Sequence, residues 1–282
     1  MDTIKKTSLD YGFLWGKCAP VARQRWHFSE IQEVIHEPLI RGRVGLEAGS
    51  GCGYDTYLMA RQAPEVKILS LDISDGVFRT KQITSALTNV LVLKGSLLYL
   101  PVSDKSVDFV YSFGVLHHLP EPAKGLEEIR RILKEGAPVF LYLYEDHAQD
   151  GFKRMALKFT LRFRIITTKL PRKMLYVFCF IASPFIFISF SLPAMIFNMF
   201  SFTKALANKL PFNFAKNPFS LAADLYDRLS VSYEHRFSKA GVIDFLRAGG
   251  FNNISVTRIP SKAGWVVWGY KNHTQELFKD SK

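Results

Sequence analysis

The chain has few cysteines. Only Cys18, Cys52 and Cys179 occur in 282 residues, and their scatter fits neither a disulfide framework nor a structural zinc site. No continuous apolar stretch occupies the first twenty residues, so no cleaved secretory signal is expected, and a reducing compartment is the expected setting. Internal repeats and low-complexity tracts are also lacking. The most informative absence is of one charge sign. Between Asp150 and Asp224 there is no acidic residue, while Lys or Arg occurs at 153, 154, 158, 162, 164, 169, 172, 173, 204, 209 and 216. The whole chain holds 37 Lys+Arg against 25 Asp+Glu, so without those eleven the balance is 26 against 25. A near-neutral body thus carries one strongly cationic segment, which suits either nucleic acid or anionic lipid.

What is present excludes disorder: 48% of residues are apolar and 14% aromatic. The length fits one large domain, or a domain with an insert. From Arg43 to Tyr144 short β-rich runs alternate with helical stretches, the pattern of a parallel sheet covered by helices. Strands are expected at 44–47, 66–72, 89–93, 107–112 and 138–144, with helices at 54–62, 76–87 and 121–133. The run PVFLYLY (138–144) suits a central strand buried on both faces. The pattern resumes with a helix at 239–248, stopped by Gly249-Gly250, and strands at 254–258 and 265–270. Roughly 146–236 interrupts it as an insert.

After the first strand comes Glu47-Ala-Gly49-Ser-Gly51-Cys-Gly53, where glycines let the backbone turn sharply and approach a ligand closely. The spacing is G-x-G-x-G, not the G-x-G-x-x-G of nicotinamide dinucleotide sites. The second strand ends at Asp72, nineteen residues past Gly53, where an acidic side chain can accept from both hydroxyls of a ribose. Together the loop, Glu47 and Asp72 are a much stronger signal than glycines alone.

With these stretches, and with GSLLYLPVSDKSVDFVYSFGVLHHLPEP and EEIRRILKEGAPVFLYLYE, the chain resembles class I S-adenosylmethionine-dependent methyltransferases over about 40–145 and 236–270. The resemblance implies an α/β, Rossmann-like, doubly wound seven-stranded sheet with its last strand antiparallel. It implies S-adenosylmethionine held by Glu47, Gly49, Gly51 and Gly53 at the methionine end, by Asp72 at the ribose and by Ile73 against adenine. Ser96 and Leu97, after the third strand, and Phe113, on the fourth, join that set. Ser96 stands where relatives commonly place an acidic residue near the adenine amino group, and its hydroxyl can hydrogen-bond there. His117-His118 invites a catalytic or metal-ligand reading, but the family's GVLHHL segment usually contributes packing beside the cofactor, and packing is the leading expectation for the pair. Cys52 is expected to be a small loop side chain, and no metal is expected. Domain bounds follow: 1–40 as a helical segment covering the cofactor site (with Tyr11, Trp15 and Trp26), 41–145 and 237–272 as the methyltransferase domain, 146–236 as the basic, apolar helical insert, and 273–282 as a tail.

Within the insert, Met174–Thr203 contains thirty uncharged residues, 22 of them apolar, preceded by eight basic residues from Gly151 to Lys173. A single membrane crossing fails on topology, because the chain must return to supply more of the same sheet. Pro184 and Pro193 are expected to cut the run into pieces of ten, eight and ten residues, too short to span. Phe152, Met155, Ala156, Phe159, Phe163, Ile166 and Leu170 form one apolar helical stripe, ended at Pro171. Monotopic contact with an anionic membrane from the cytoplasmic side explains both the apolar residues and the missing acids. A soluble lid over a greasy pocket and an oligomer interface stay open. The leading expectation is methyl transfer to a lipid or lipid-linked small molecule. The alternatives are an RNA or protein methyltransferase docking through the insert, and a non-catalytic cofactor-binding scaffold. Thirty uncharged residues are poor nucleic-acid contact. For the acceptor, His235 is a candidate base with Tyr233 or Arg236 orienting, and Tyr144 and Glu145 follow on the same edge. The competing reading is that Ser238 merely caps the next helix.

Overall fold

The computed structural model describes residues 3–22, 42–207, 210–212, 215, 217–258 and 264–272; Trp26 and the expected 273–282 tail lie outside them. The described residues divide into two compact units, one of 3–16, 42–146 and 233–272, the other of 17–22 and 147–232.

In the first unit, strands β1 (Val44–Ala48), β2 (Lys67–Asp72), β3 (Val90–Lys94), β4 (Phe109–Phe113), β5 (Pro138–Tyr144), β6 (Phe251–Arg258) and β7 (Gly264–Lys271) form one seven-stranded sheet. Their order is β3-β2-β1-β4-β5-β7-β6, and β7 runs antiparallel to both neighbours. The expected seven-stranded sheet with its antiparallel last strand is therefore present. β5 is apolar because it is central, with six of its seven residues buried.

The period-2 alternation decides which layer each side chain joins. Val110, Val139 and Leu141 meet Leu126, Ile129 and Ile132 of α4 (Pro122–Ile132) and Val242 and Leu246 of α10 (Lys239–Ala248). Phe109, Tyr111 and Phe140 point the other way, onto Met59 and Ala60 of α2 (Tyr54–Gln62). Two boundaries differ from expectation by three residues or more. Helix α3 (Gly76–Ile83) stops before Thr84, whose hydroxyl donates back to the Thr80 carbonyl at 2.8 Å. Strand β6 starts three residues early, through a register shift between Asn252 and Ser255 with Asn253 at φ 48°. Ser238 caps α10, its Oγ accepting from Gly241 N–H at 3.0 Å.

The second unit is helical: α5 (Gly151–Thr167), α6 (Arg172–Ile186), a π-helical turn (Phe187–Ser191), α7 (Leu192–Asn198), α8 (Lys204–Ala207) and α9 (Ala222–Ser230). The expected break at the prolines does not occur. Residues Arg172–Asn198 form one helical run of 27 residues, about 40 Å long at 1.5 Å per residue. Pro193 falls in the first turn of α7, where its missing N–H is tolerated, and the π turn follows Pro184. Leu175, Cys179, Ser183, Phe187 and Ser191 are the buried face, spaced by four. A 3.6-residue helix drifts off such a stripe, and the wider π turn brings Ser191 back onto it.

The same unit buries polar groups and exposes apolar ones. Arg164 Nε donates to the Arg228 carbonyl at 2.9 Å and Thr167 Oγ1 to the Leu229 carbonyl at 2.8 Å, satisfying last-turn carbonyls of α9. Ser191 Oγ donates to the Phe212 carbonyl at 2.7 Å, and Ser183 Oγ to that of Pro218. Met155, Phe159 and Ile166 of the expected stripe are exposed, as are Ile181, Phe185 and Ile188.

Candidate functional site

At the carboxyl ends of the strands the sheet order reverses between β1 and β4, the place where open α/β sheets leave a crevice. A cleft of about 730 Å³, mouth included, lies there. Its walls are Gly49 and Gly51 from the loop after β1, Asp72 and Ile73 from β2, Ser96 to Leu98 from the turn after β3, and Phe113 to Val115 with His118 from the end of β4. Ile4, Thr7, Tyr11 and Trp15 of α1 (Thr3–Ala22) complete it. The helix is held there by Ser8 Oγ, which donates to the Ile73 carbonyl at 2.8 Å, and the Tyr11 and Trp15 rings stack with centroids 6.5 Å apart.

Asp72 shapes the loop. Its Oδ2 accepts from Gly51 N–H and its Oδ1 from Ser74 N–H, both at 2.8 Å. Burial raises its pKa while these bonds oppose the rise. Gly51 sits at φ 57°, and a Cβ there would lie 2.8 Å from the Trp15 ring, so the position needs glycine for both backbone and space. The tightest approach to another stretch of backbone is at Gly76, at the start of α3, which the sequence reading did not single out. A Cβ on it would stand 2.2 Å from the Gly51 carbonyl oxygen. Gly76→Ala is therefore expected to displace the loop, lower the melting temperature by an overpacking cost of about 1–3 kcal/mol and weaken cofactor affinity about tenfold, as thermal melts and calorimetry would read. Unchanged affinity would show that the loop tolerates the shift.

Glu47 lies on β1, buried and outside the cleft lining, and Gly53 is also outside it. Thr56 Oγ1 donates to the Glu47 carboxyl, as does Tyr111 OH at 3.0 Å, and Ser70 Oγ lies 2.9 Å from the Thr56 hydroxyl. Burial pushes the Glu47 pKa up to about 8, with the Asp55 charge adding to the rise and the two hydroxyl bonds opposing it. The folded chain then binds this proton more tightly than the unfolded one, so stability falls as pH rises from about 4.5 to about 8. Glu47→Gln should flatten that fall. Melting temperatures would match near pH 4.5, and the variant would be the more stable at pH 8.5, by on the order of 3 kcal/mol. A wild-type melt independent of pH over this window would rule the assignment out.

Cys52 is buried, and burial pushes its thiol up to about 12, so it is an unreactive loop side chain. No cluster of three or more potential metal ligands occurs among the described residues.

The five acceptor-site candidates come together at the carboxyl end of β5, and none of them lines the cleft. Phe237 N–H donates to the Tyr144 carbonyl at 2.9 Å, which seats the returning segment beside the strand. His235 N–H donates to the His117 carbonyl at 2.8 Å. Arg236 pairs with Glu234 at 2.7 Å, donates to the Glu145 carbonyl at 2.9 Å and lies 5.2 Å from the Tyr144 ring centroid. Glu145 itself is ion-paired with Arg258. Tyr233 gives its carbonyl to His118 Nδ1 at 2.9 Å.

Residues 46–141 match the family model described as "Methyltransferase domain". The matched stretch is a methyltransferase domain, and its sheet has the arrangement of the class I S-adenosylmethionine-dependent methyltransferases. Its cofactor is S-adenosylmethionine. The chain is 35% identical over 124 residues to a Mycolicibacterium smegmatis protein named "Probable S-adenosylmethionine-dependent methyltransferase", covering 43% of this chain and 46% of that one. It is 30% identical over 106 residues to the Saccharomyces cerevisiae tRNA (carboxymethyluridine(34)-5-O)-methyltransferase, 36% of each. The chain thus spans less than half the length of these curated relatives. A solved S-adenosylmethionine-dependent methyltransferase from Thermotoga maritima superposes with a TM-score of 0.51 at 16% identity, covering 93% of this chain and 100% of that one, which is a likeness of fold.

The cleft fits this cofactor on its own chemistry. Gly49 and Gly51 leave the backbone bare on one side, and Ile73, Leu97 and Phe113 offer apolar walls to a flat base. Asp72 lines the cleft, and its carboxylate, which accepts from the amides of Gly51 and Ser74, is the acidic acceptor there for ribose hydroxyls.

Proposed function

We propose that this protein transfers a methyl group from S-adenosylmethionine to a hydrophobic or lipid-linked small molecule, working on the cytoplasmic face of a membrane. When bound, the cofactor supplies a methyl carbon already activated by a sulfonium sulfur. The chain's part is then to align an acceptor with it in the cleft, where alignment itself is worth several kcal/mol. The observation that carries the membrane reading is the apolar surface of the helical unit, where Met155, Phe159, Ile166, Ile181, Phe185 and Ile188 are exposed over a core that holds Leu175, Tyr226 and Leu229. In water such a surface is costly, whereas a membrane interface accepts apolar side chains and anionic headgroups attract the cations around them.

An in-plane attitude is favoured. The helical run 172–198 is long and apolar enough to cross a membrane, yet β5 precedes it and β6 and β7 follow it in one sheet. One crossing would put strands of the same sheet on opposite sides. A soluble lid would account for the apolar residues but not for seventy-three positions without an acid.

The test is isotopically labelled methyl donor added to membrane lipid and small-molecule extracts, with product mass read for wild type and Asp72→Ala. An extractable lipophilic product that depends on Asp72 is expected. Label appearing only in RNA would overturn the reading in favour of a nucleic-acid acceptor, a second reading that rests on the eleven cations and the yeast tRNA-modifying relative.

A further inference from the structure

We propose that His118 is the general base of the reaction and that the methyl acceptor is therefore a hydroxyl group, an inference that rests on the methyl-transfer reading above and narrows it. Three histidines gather here, and only His118 lines the cleft. Its Nδ1 is 2.9 Å from the Tyr233 carbonyl oxygen. A carbonyl can only accept, so Nδ1 carries the proton, and in the neutral ring Nε2 is then the lone-pair nitrogen. The bond is one half of a reciprocal tie, because His235 N–H donates to the His117 carbonyl at 2.8 Å. The 3₁₀ turn Leu116–His118 is thus fastened to the segment 233–235 at two points. Aromatic rings fix the plane of the imidazole: Tyr144 meets it edge-on at 5.5 Å and Tyr11 at 6.0 Å.

The neighbouring histidines do not compete. His117 is fully buried, and burial, with the neighbouring His118 ring and the Arg236 charge adding to it, keeps its pKa well below the ordinary value. His235 lends its backbone to the turn while its ring stays off the cleft lining.

A held, tautomerically fixed base on the wall of the cleft has a chemical meaning. A neutral amine attacks with its own lone pair and needs no base in the bond-forming step, whereas a hydroxyl must lose a proton. The acceptor oxygen forms its bond to the methyl carbon as the carbon–sulfur bond breaks and that electron pair stays on sulfur. The hydroxyl proton passes to His118 Nε2, and the imidazolium so formed keeps its Nδ1–H on the Tyr233 carbonyl.

The test has two arms on the full-length chain. In the first, long-range 1H–15N NMR of the ¹⁵N-labelled free protein in detergent reads the ring of His118. Protonation at Nδ1 with an unprotonated Nε2 is expected, and a proton on Nε2 in the neutral ring would overturn the proposal. In the second, His118→Asn keeps an amide donor for the Tyr233 carbonyl and removes the base. With labelled methyl donor and total lipid extract as the probe, transfer should fall about 100- to 10,000-fold, while calorimetric affinity for S-adenosylmethionine stays within about threefold. The wild-type product should be a methyl ether, because a methyl ester would come from a carboxylate that has no proton to lose. An N-methyl or C-methyl product, or full activity in His118→Asn, would refute the proposal. Absence of any labelled product with wild type would count against the membrane-substrate reading instead, and the ring tautomer would then decide the place of His118.

Discussion

Asp72→Ala is expected to abolish measurable S-adenosylmethionine binding at concentrations that saturate the wild type, and to lower the melting temperature as well. The two effects share one cause. The Asp72 carboxylate accepts from Gly51 N–H and Ser74 N–H, so its removal leaves two amides behind the cleft without partners. Each charge-assisted bond is worth about 1.5–3 kcal/mol, and ribose contacts would be lost on top. Affinity should therefore weaken by about 100-fold or more. Asp72→Asn should do nearly as badly, since its amide nitrogen turns a donor toward one of the two N–H groups. Calorimetry settles this, and unchanged affinity in Asp72→Ala would move the cofactor elsewhere.

The double role of Asp72 marks the limit of what the sequence discloses. Position nineteen after the last loop glycine pointed to a ribose acceptor, and the alternation of β-rich and helical runs placed nearly every strand of the sheet. These signals are local and periodic. The loop's own support is not, because Gly76 and Trp15 reach Gly51 from elements 25 and 36 positions away in sequence. Nothing in a strand that reads FVYSF announces that the Tyr111 hydroxyl serves Glu47, except that a phenol in a fully buried strand needs a partner. For His118 the sequence ranks packing above a base role for a similar reason. Its segment suggests packing, and its contact with Tyr233 spans 115 residues and an entire insert. Tyr233, singled out for its side chain, contributes its carbonyl. The prolines misled in the other direction, since propensity predicts a break that a π turn and a first-turn position both absorb.

The second large effect expected is on membrane binding. Phe159→Glu/Ile166→Glu should release the protein from vesicles containing about a third anionic lipid. Phe159 and Ile166 lie on α5 beyond the groups that dock it, Arg164 and Thr167, and are exposed by 73% and 62%. Little buried surface is lost when they are replaced, beyond the stacking of Phe159 on Phe163 with centroids 6.5 Å apart, which makes the pair a cleaner probe than deletion of the unit. Burying each in an interface contributes about 1.5–3 kcal/mol. Losing both, and adding two charges that anionic headgroups repel, should cut partitioning at least 100-fold. Vesicle flotation measures this, with S-adenosylmethionine affinity on the same samples as the control, expected to be unchanged. Salt separates the sources of attraction: binding driven by cations alone would vanish as ionic strength rises, whereas an apolar contribution should persist. If the wild-type chain ignores anionic vesicles, or if the double variant binds them as well as the wild type, the exposed face serves a lid or a partner subunit, and the acceptor need not be drawn from a bilayer.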